Sequence, residues 1–130
     1  MHVEILGGTV EIDESHVEES PTEIRRQLRE YEHDERQTFD LSIEIPETFT
    51  GAVMEQLLTI PYGETRTYGE IAAALDTAPV AVGGACGRNL VTVVVPCHRV
   101  LRSGGELGGY SAPGGVDLKR RLLDHESNGV

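Results

Sequence analysis

The chain has 130 residues, of which 38% are apolar and 25% charged, with a formal net charge of −11. That length suits one ordinary domain or two very small ones. The composition excludes a collagen, a coiled coil and a disulfide scaffold. No run approaches the roughly 18–20 apolar residues that a membrane helix needs.

The charge is uneven. Residues 1–50 hold 14 of the 22 acids against four arginines, whereas residues 51–130 hold eight acids against seven bases. Lys119 is the single lysine. An acidic total weighs against a nucleic-acid partner, because phosphate neutralisation drives such binding. A near-neutral C-terminal part can still present a local basic face. Abundant acid with almost no lysine also suits a high-salt, halophile-like setting, where screening is short-ranged. Two cysteines, Cys86 and Cys97, and an opening Met1-His2-Val3-Glu4 without a signal-like run lead us to expect a cytoplasmic protein.

In chain order, Val3–Ile5 and Thr9–Ile12 alternate around Gly7-Gly8 and predict a short hairpin. Ser20-Pro21-Thr22-Glu23 predicts a capped helix start with a capping box, and Ile24, Leu28 and Tyr31 mark one apolar face. Phe39, Leu41, Ile43 and Ile45 alternate with polar residues, as a half-buried strand would. Pro46 ends that strand, and a soft boundary falls at 46–48. The expected architecture is α+β: a small, short, acidic N-terminal strand-helix-strand domain over 1–48, then a mainly helical domain over 49–130.

Phe49 to Thr59 predicts a helix with Phe49, Val53, Leu57 and Ile60 on one face. Thr67-Tyr68-Gly69-Glu70 is a second capping box, opening a short helix through Leu75. Asp76 to Pro79 connects it to a third helix, Val80 to Gly87. Two short helices joined by four residues form a helix-turn-helix pattern. The second helix is small and apolar, with Arg88 and Asn89 only at its end. It cannot read base edges by hydrogen bonds, but it suits close approach to a sugar-phosphate backbone or a minor groove. Plain helix packing through glycines is the other reading.

Leu90 to Val95 predicts a buried strand or extended segment, ended by Pro96. Six glycines within 104–115 predict a loop with exposed backbone. Asp117 to Glu126 predicts a last helix with Leu118, Leu122 and Leu123 inward.

Cys97 is the sharpest chemical feature, since a thiolate is the best soft nucleophile a side chain offers. His98 follows it directly. In a strand the two would point to opposite faces, but a turn after Pro96 would bring both to one site. Glu126 or Asp124 would then orient His98, as the third member of a triad does. The competing reading is a buried structural cysteine, and Cys86, inside an apolar helix, fits that description better than Cys97 does.

Pro96-Cys97-His98-Arg99-Val100 resembles the active-site signature of the O6-alkylguanine-DNA alkyltransferases, also called methylated-DNA–protein-cysteine methyltransferases. The likeness extends over about 49–126. It takes in Ile60 to Ala72, Ala81-Val82-Gly83-Gly84-Ala85, Asn89, Gly108-Gly109-Tyr110-Ser111 and Lys119 to Glu126. The resemblance implies a winged-helix-like unit that binds duplex DNA through the minor groove and rotates an alkylated guanine out of the stack. Cys97 would take the alkyl group once and irreversibly from the guanine oxygen (or the O4 of thymine).

It further implies that His98 acts as base through a water, with Glu126 behind it and Asn89 bracing the turn. Tyr68 would protonate the leaving base. The carbonyls of Cys97 and Val100 and the amide of Ser111 would hold its edge, with Tyr110 lining the pocket. Val80, Ala81, Gly83, Arg88 and Arg99 would meet DNA. No cofactor, no metal and no membrane are expected, and the partner is duplex DNA containing O6-alkylguanine, bound by a monomer.

Three departures accompany the likeness. Val80 stands where the family carries an arginine that fills the space left by the base, Leu90 replaces a proline and Met54 a tryptophan. His2, His16 and His33 are too dispersed for the zinc site of some relatives. Two alternatives remain: an alkyltransferase-like protein that flips the lesion without repairing it, and a thiol hydrolase using Cys97 and His98.

Overall fold

Leu6 and Gly7 make the first reversal of the chain, both at positive φ (51° and 80°), the twist that a two-residue hairpin turn demands. They join β1 (His2–Ile5) to β2 (Gly8–Glu11) in antiparallel register, Val3 opposite Val10 and Ile5 opposite Gly8. Gly8 therefore belongs to the strand and not to the turn expected at Gly7-Gly8. The computed structural model describes residues 1–108 and 115–128.

Helix α1 (Pro21–Glu32) starts at Ser20, whose hydroxyl accepts from the Glu23 amide. The reciprocal half of the expected capping box is missing, because the Glu23 carboxylate accepts instead from Arg26 and Gln27. A charge-assisted pair one turn along the same face outcompetes a neutral amide. Ile24, Leu28 and Tyr31 are buried as their spacing requires, and Gln27 joins them. The Gln27 amide spans the backbone of Asp40, donating to its carbonyl and accepting from its N–H.

The strand expected over 39–45 is not a strand. It is an extended segment with one bridge, Ile43 to Val17. Among the described residues its backbone pairs with the short stretch at 16–18, through two flanking hydrogen bonds, Glu18 to Ser42 and Glu44 to His16. Its alternating apolar residues still lean on the core, half-buried.

Helix α2 (Phe49–Leu58) is capped by Thr48. Gly51 seats it against the Pro46 carbonyl so closely that a Cβ would lie 1.8 Å from that oxygen. This contact sets the roll of the helix. Val53, Met54 and Leu57 turn inward, and Phe49, expected on the buried face, is 39% exposed.

Strand β3 (Arg66–Thr67) leads into α3 (Tyr68–Ala74), which opens with the complete capping box of Thr67 and Glu70. After a turn at Asp76, where φ is 53°, α4 (Pro79–Gly87) follows. These two are the helix-turn-helix. Strand β4 (Val100–Leu101) pairs in parallel with β3, and α5 (Gly115–Asn128) closes the chain with Leu118 and Leu122 buried and Leu123 half-buried.

The buried strand expected over 90–95 is instead a buried turn. Val93 takes φ of 75°, and the Val95 amide bonds back to the Val91 carbonyl. One apolar core runs from the hairpin and α1 to Val91, Val95, Leu118 and Leu122. The hairpin is tied to that turn by the Ile12–Val91 bridge and a bond from Asp13 to Leu90. The architecture is α+β.

Candidate active site

The turn at 90–95 exists to aim Cys97. Asn89, just past the end of α4, supplies what a strand neighbour would have supplied. Its Oδ1 accepts from the Val91 amide at 3.0 Å, and its Nδ2 donates to the Val95 carbonyl at 2.9 Å. The same Nδ2 reaches the Cys97 sulfur at 3.3 Å. Pro96 then breaks the chain into a single 3-10 turn, Cys97–Arg99. Consecutive side chains in that turn fan out instead of alternating, which places Cys97 and His98 in one region.

Cys97 is 3% exposed and lines a cleft of about 750 Å³. Its walls come from Tyr68 and Gly69 of α3, from Val80, Gly83, Gly84 and Cys86 of α4, and from Arg102, Ser103 and Gly108. Burial, with Cys97 beside it, pushes the Cys86 thiol up to about 12, so Cys86 remains a neutral wall. The bare surface of α4 toward the cleft follows from its glycines: a Cβ at Gly83 would meet nothing within 4 Å. Val80 stands at the mouth, 83% exposed.

The residue after Cys97, His98, belongs to a buried polar cluster centred on Glu126. One carboxylate oxygen, Oε2, accepts from His98 Nε2 at 2.7 Å, from Arg99 Nη2 at 2.9 Å and from the Tyr31 hydroxyl at 2.7 Å. The other accepts from Arg99 Nε at 2.8 Å. Burial alone would raise the carboxyl, but the hydrogen bonds from His98 and Arg99 overcome it and hold Glu126 at about 2. Burial lowers His98 below the usual histidine range, against the pull of Glu126. With Nε2–H given to a carboxylate, Nδ1 carries the lone pair. Among the described residues, His98 Nδ1 is the one buried side-chain nitrogen or oxygen without a hydrogen-bond partner. The cluster thus presents a neutral, oriented imidazole base.

Tyr68, at the start of α3, lines the cleft with its phenol held protonated: burial, then the neighbouring Cys86 and Cys97, push it up to about 12. Lys119 is fully buried. Its ammonium donates to the carbonyls of Val100 and Leu107 and lies 3.5 Å from the Tyr68 oxygen and over its ring.

The residues singled out in the sequence therefore divide. Cys97, Tyr68, Val80 and Gly83 line the cleft, Asn89 bonds the Cys97 sulfur, and His98 pairs with Glu126. Ala81 is half-buried on α4, and Arg88 is exposed, its Nε donating to Thr50. Arg99, expected to meet DNA, is buried. Its guanidinium is spent on Glu126 and on the Ile60 carbonyl, because a buried carboxylate needs a cation. The Val100 carbonyl already accepts from Lys119. Asp124, the other candidate partner of His98, is exposed. Tyr110 and Ser111 lie outside the described residues.

Sequence reasoning missed the roles of Tyr31 and Lys119. The lone lysine of the chain was a usable signal for Lys119. Tyr31 had none beyond its place on the apolar face of α1.

Fold and site together define a helix-turn-helix protein with a cysteine presented beneath its second helix. Over residues 48–128 the chain matches the family model described as 6-O-methylguanine DNA methyltransferase, DNA binding domain. It is 46% identical over 105 residues to the methylated-DNA–protein-cysteine methyltransferase of Mycobacterium tuberculosis (strain ATCC 25618 / H37Rv), covering 78% of this chain and 62% of that relative. It is 40% identical over 136 residues to the protein of that name from Methanosarcina barkeri, covering 99% and 85%. The solved structure of Mycobacterium tuberculosis OGT in complex with DNA aligns with a TM-score of 0.77 at 43% identity, covering 84% of this chain and 68% of that one. The chain belongs to the 6-O-methylguanine DNA methyltransferase family, and it spans about 62% of the length of its mycobacterial relatives.

Proposed function

We propose that the protein is a single-turnover DNA repair alkyltransferase that moves a methyl or larger alkyl group from the O6 of guanine in duplex DNA to Cys97. The observation that carries this reading is the Cys97 sulfur lining the cleft under α4, bonded by Asn89, with the next residue, His98, oriented by Glu126 and its Nδ1 left unpaired. A small apolar α4 lets the duplex approach closely, and a guanine swung out of the stack enters the cleft.

The thiol proton passes through a bridging water to His98 Nδ1, and Glu126 stabilises the imidazolium. A sulfur lone pair then attacks the alkyl carbon in line. The carbon–oxygen bond breaks, its electron pair stays with the base, and Tyr68 supplies a proton to the guanine. The thioether that forms has no leaving group for water to exploit, so each molecule acts once. By the same reading Arg88 meets phosphate beside α4, and Val80 and Ala81 enter the minor groove.

Intact-mass analysis with O6-methylguanine duplex tests the reading. One added methyl on Cys97, absent in Cys97→Ala, is the expected result. A mobility shift of the DNA without added mass would establish the alkyltransferase-like alternative, and multiple turnovers of an ester would establish a thiol hydrolase.

A further inference from the structure

The Glu126 carboxylate is reached from two directions. His98 and Arg99 come from the active-site turn, and Tyr31 comes from α1, 95 residues away in sequence. Tyr31 is completely buried. Its ring is fixed by stacking on Phe39, edge contact with Tyr62 and a tilted contact with His125, and its own carbonyl meets His125 Nε2 at 2.8 Å. Such packing leaves the hydroxyl one direction, onto Glu126 Oε2. That is the same oxygen that receives His98 Nε2.

Resting on the alkyltransferase reading, we propose that Tyr31 is a positioning residue for the reaction, through which the N-terminal part of the chain sets the basicity of His98. Each hydrogen bond that Oε2 accepts draws charge away from the contact with His98. With the Tyr31 hydroxyl in place, Glu126 stabilises the imidazolium less, and His98 stays neutral and able to accept the thiol proton at lower pH. The phenol is an unambiguous donor, because burial and the carboxylate keep it protonated well above the usual tyrosine range. The acidic N-terminal part is thereby wired to the chemistry and does more than cover the core.

Other charges also face the cluster. Arg99 pairs with the same carboxylate, and Lys119 of α5 acts on His98 from the side of the cleft. Tyr62 abuts from the segment after α2, His125 flanks Tyr31 on α5, and Asp34 pairs with His125 at 3.4 Å. None of these is altered by removing the Tyr31 hydroxyl, which isolates its effect.

The test is the pH titration of the His98 imidazole, followed by nitrogen-detected NMR on the full chain without DNA, beside the pH dependence of the single-turnover alkyl-transfer rate. In Tyr31→Phe the His98 titration and the acid limb of the rate profile should both move up by about half a pH unit, roughly threefold in proton affinity. Site-specific replacement of Tyr31 by difluorotyrosine, a stronger donor of nearly the same shape, should move both down. Phe39→Leu, which loosens the same aromatic cluster but keeps the hydroxyl, should lower the melting temperature and leave both curves in place.

Coincident His98 titrations in the parent, Tyr31→Phe and difluorotyrosine proteins overturn the inference, even if Tyr31→Phe is less stable. Failure of the alkyltransferase reading looks different. The parent protein would then add no methyl to Cys97 at any pH, whatever the His98 titrations show.

Discussion

Glu126 and His98 pull the protein's acid stability in the same direction. Glu126 ionises at about 2 in the folded protein against 4.5 for the unperturbed group. Its contribution is therefore complete above pH 4.5 and disappears as pH falls through the folded value. His98 is lowered by burial from 6.5, so the unfolded chain binds the proton first and stability begins to fall once pH drops below 6.5. Unfolding free energy measured from pH 8 to 2.5 should decline in two stages, a first below 6.5 and a steeper one below 4.5. In His98→Gln the first stage should shrink, because the group that must be buried neutral is gone. A pH-independent plateau from 6.5 to 4.5 in the parent would contradict the buried, neutral imidazole.

Among the elements, the docking of α2 and the capping of α3 are of unequal worth. Thr67 opens α3 with a capping box on an exposed helix end. Loss of such a cap costs about 1 kcal/mol. Gly51 lies where the first turn of α2 touches the backbone at Pro46, and a methyl there has no flexible side chain to displace. Gly51→Ala should cost more than the roughly 1–3 kcal/mol of ordinary overpacking, and Thr67→Ala only about 1 kcal/mol. Urea denaturation of the two variants checks the order, and equal losses would mean that α2 can lift from Pro46. Helix α4 is the opposite case. Gly83 and Gly87 have open space where a Cβ would stand, so under the proposed function its composition serves the approach of DNA more than internal packing.

Across the whole molecule, the proposed function requires a chain of net charge −11 to meet a polyanion. Part of the acid load is answered internally: Arg26 pairs with Glu23 and Glu30, and Arg36 with Glu30. Arg99 is also withdrawn by Glu126. That leaves Arg88, Arg102, Arg120 and Arg121 as exposed cations in the C-terminal part, Arg121 reaching the Leu6 carbonyl at 3.4 Å, with Arg66 half-committed to Glu64 at 3.4 Å. Three or four phosphate contacts predict a slope of log affinity against log salt of about −3, from roughly −0.9 per contact. Val80→Arg, placing a cation at the cleft mouth, should tighten DNA binding and steepen that slope by about 1. Binding titrations from 50 to 500 mM salt decide it. An unchanged slope in Val80→Arg would mean that this position does not meet the duplex.

Local chemistry alone was enough to read the hairpin, the caps at Ser20 and Thr67 and the helix-turn-helix, because each depends on neighbours within a few residues, whereas the Pro96–Val100 signature was read by its resemblance to a family. The pairing of His98 with Glu126 was legible only as a possibility, since it depends on where the 3-10 turn after Pro96 aims the imidazole. What tertiary structure alone decided was the fate of alternating or charged stretches whose partners are distant. Residues 39–45 found too short a neighbour to become a strand. Residues 90–95 curled around Asn89. Arg99 was drawn inward by a carboxylate 27 residues later, and Tyr31 reached across 95 residues to the same group. A periodic pattern reports that a face will be buried, but not against what. A buried charge must be matched by whatever the fold brings near, and that selection belongs to three dimensions.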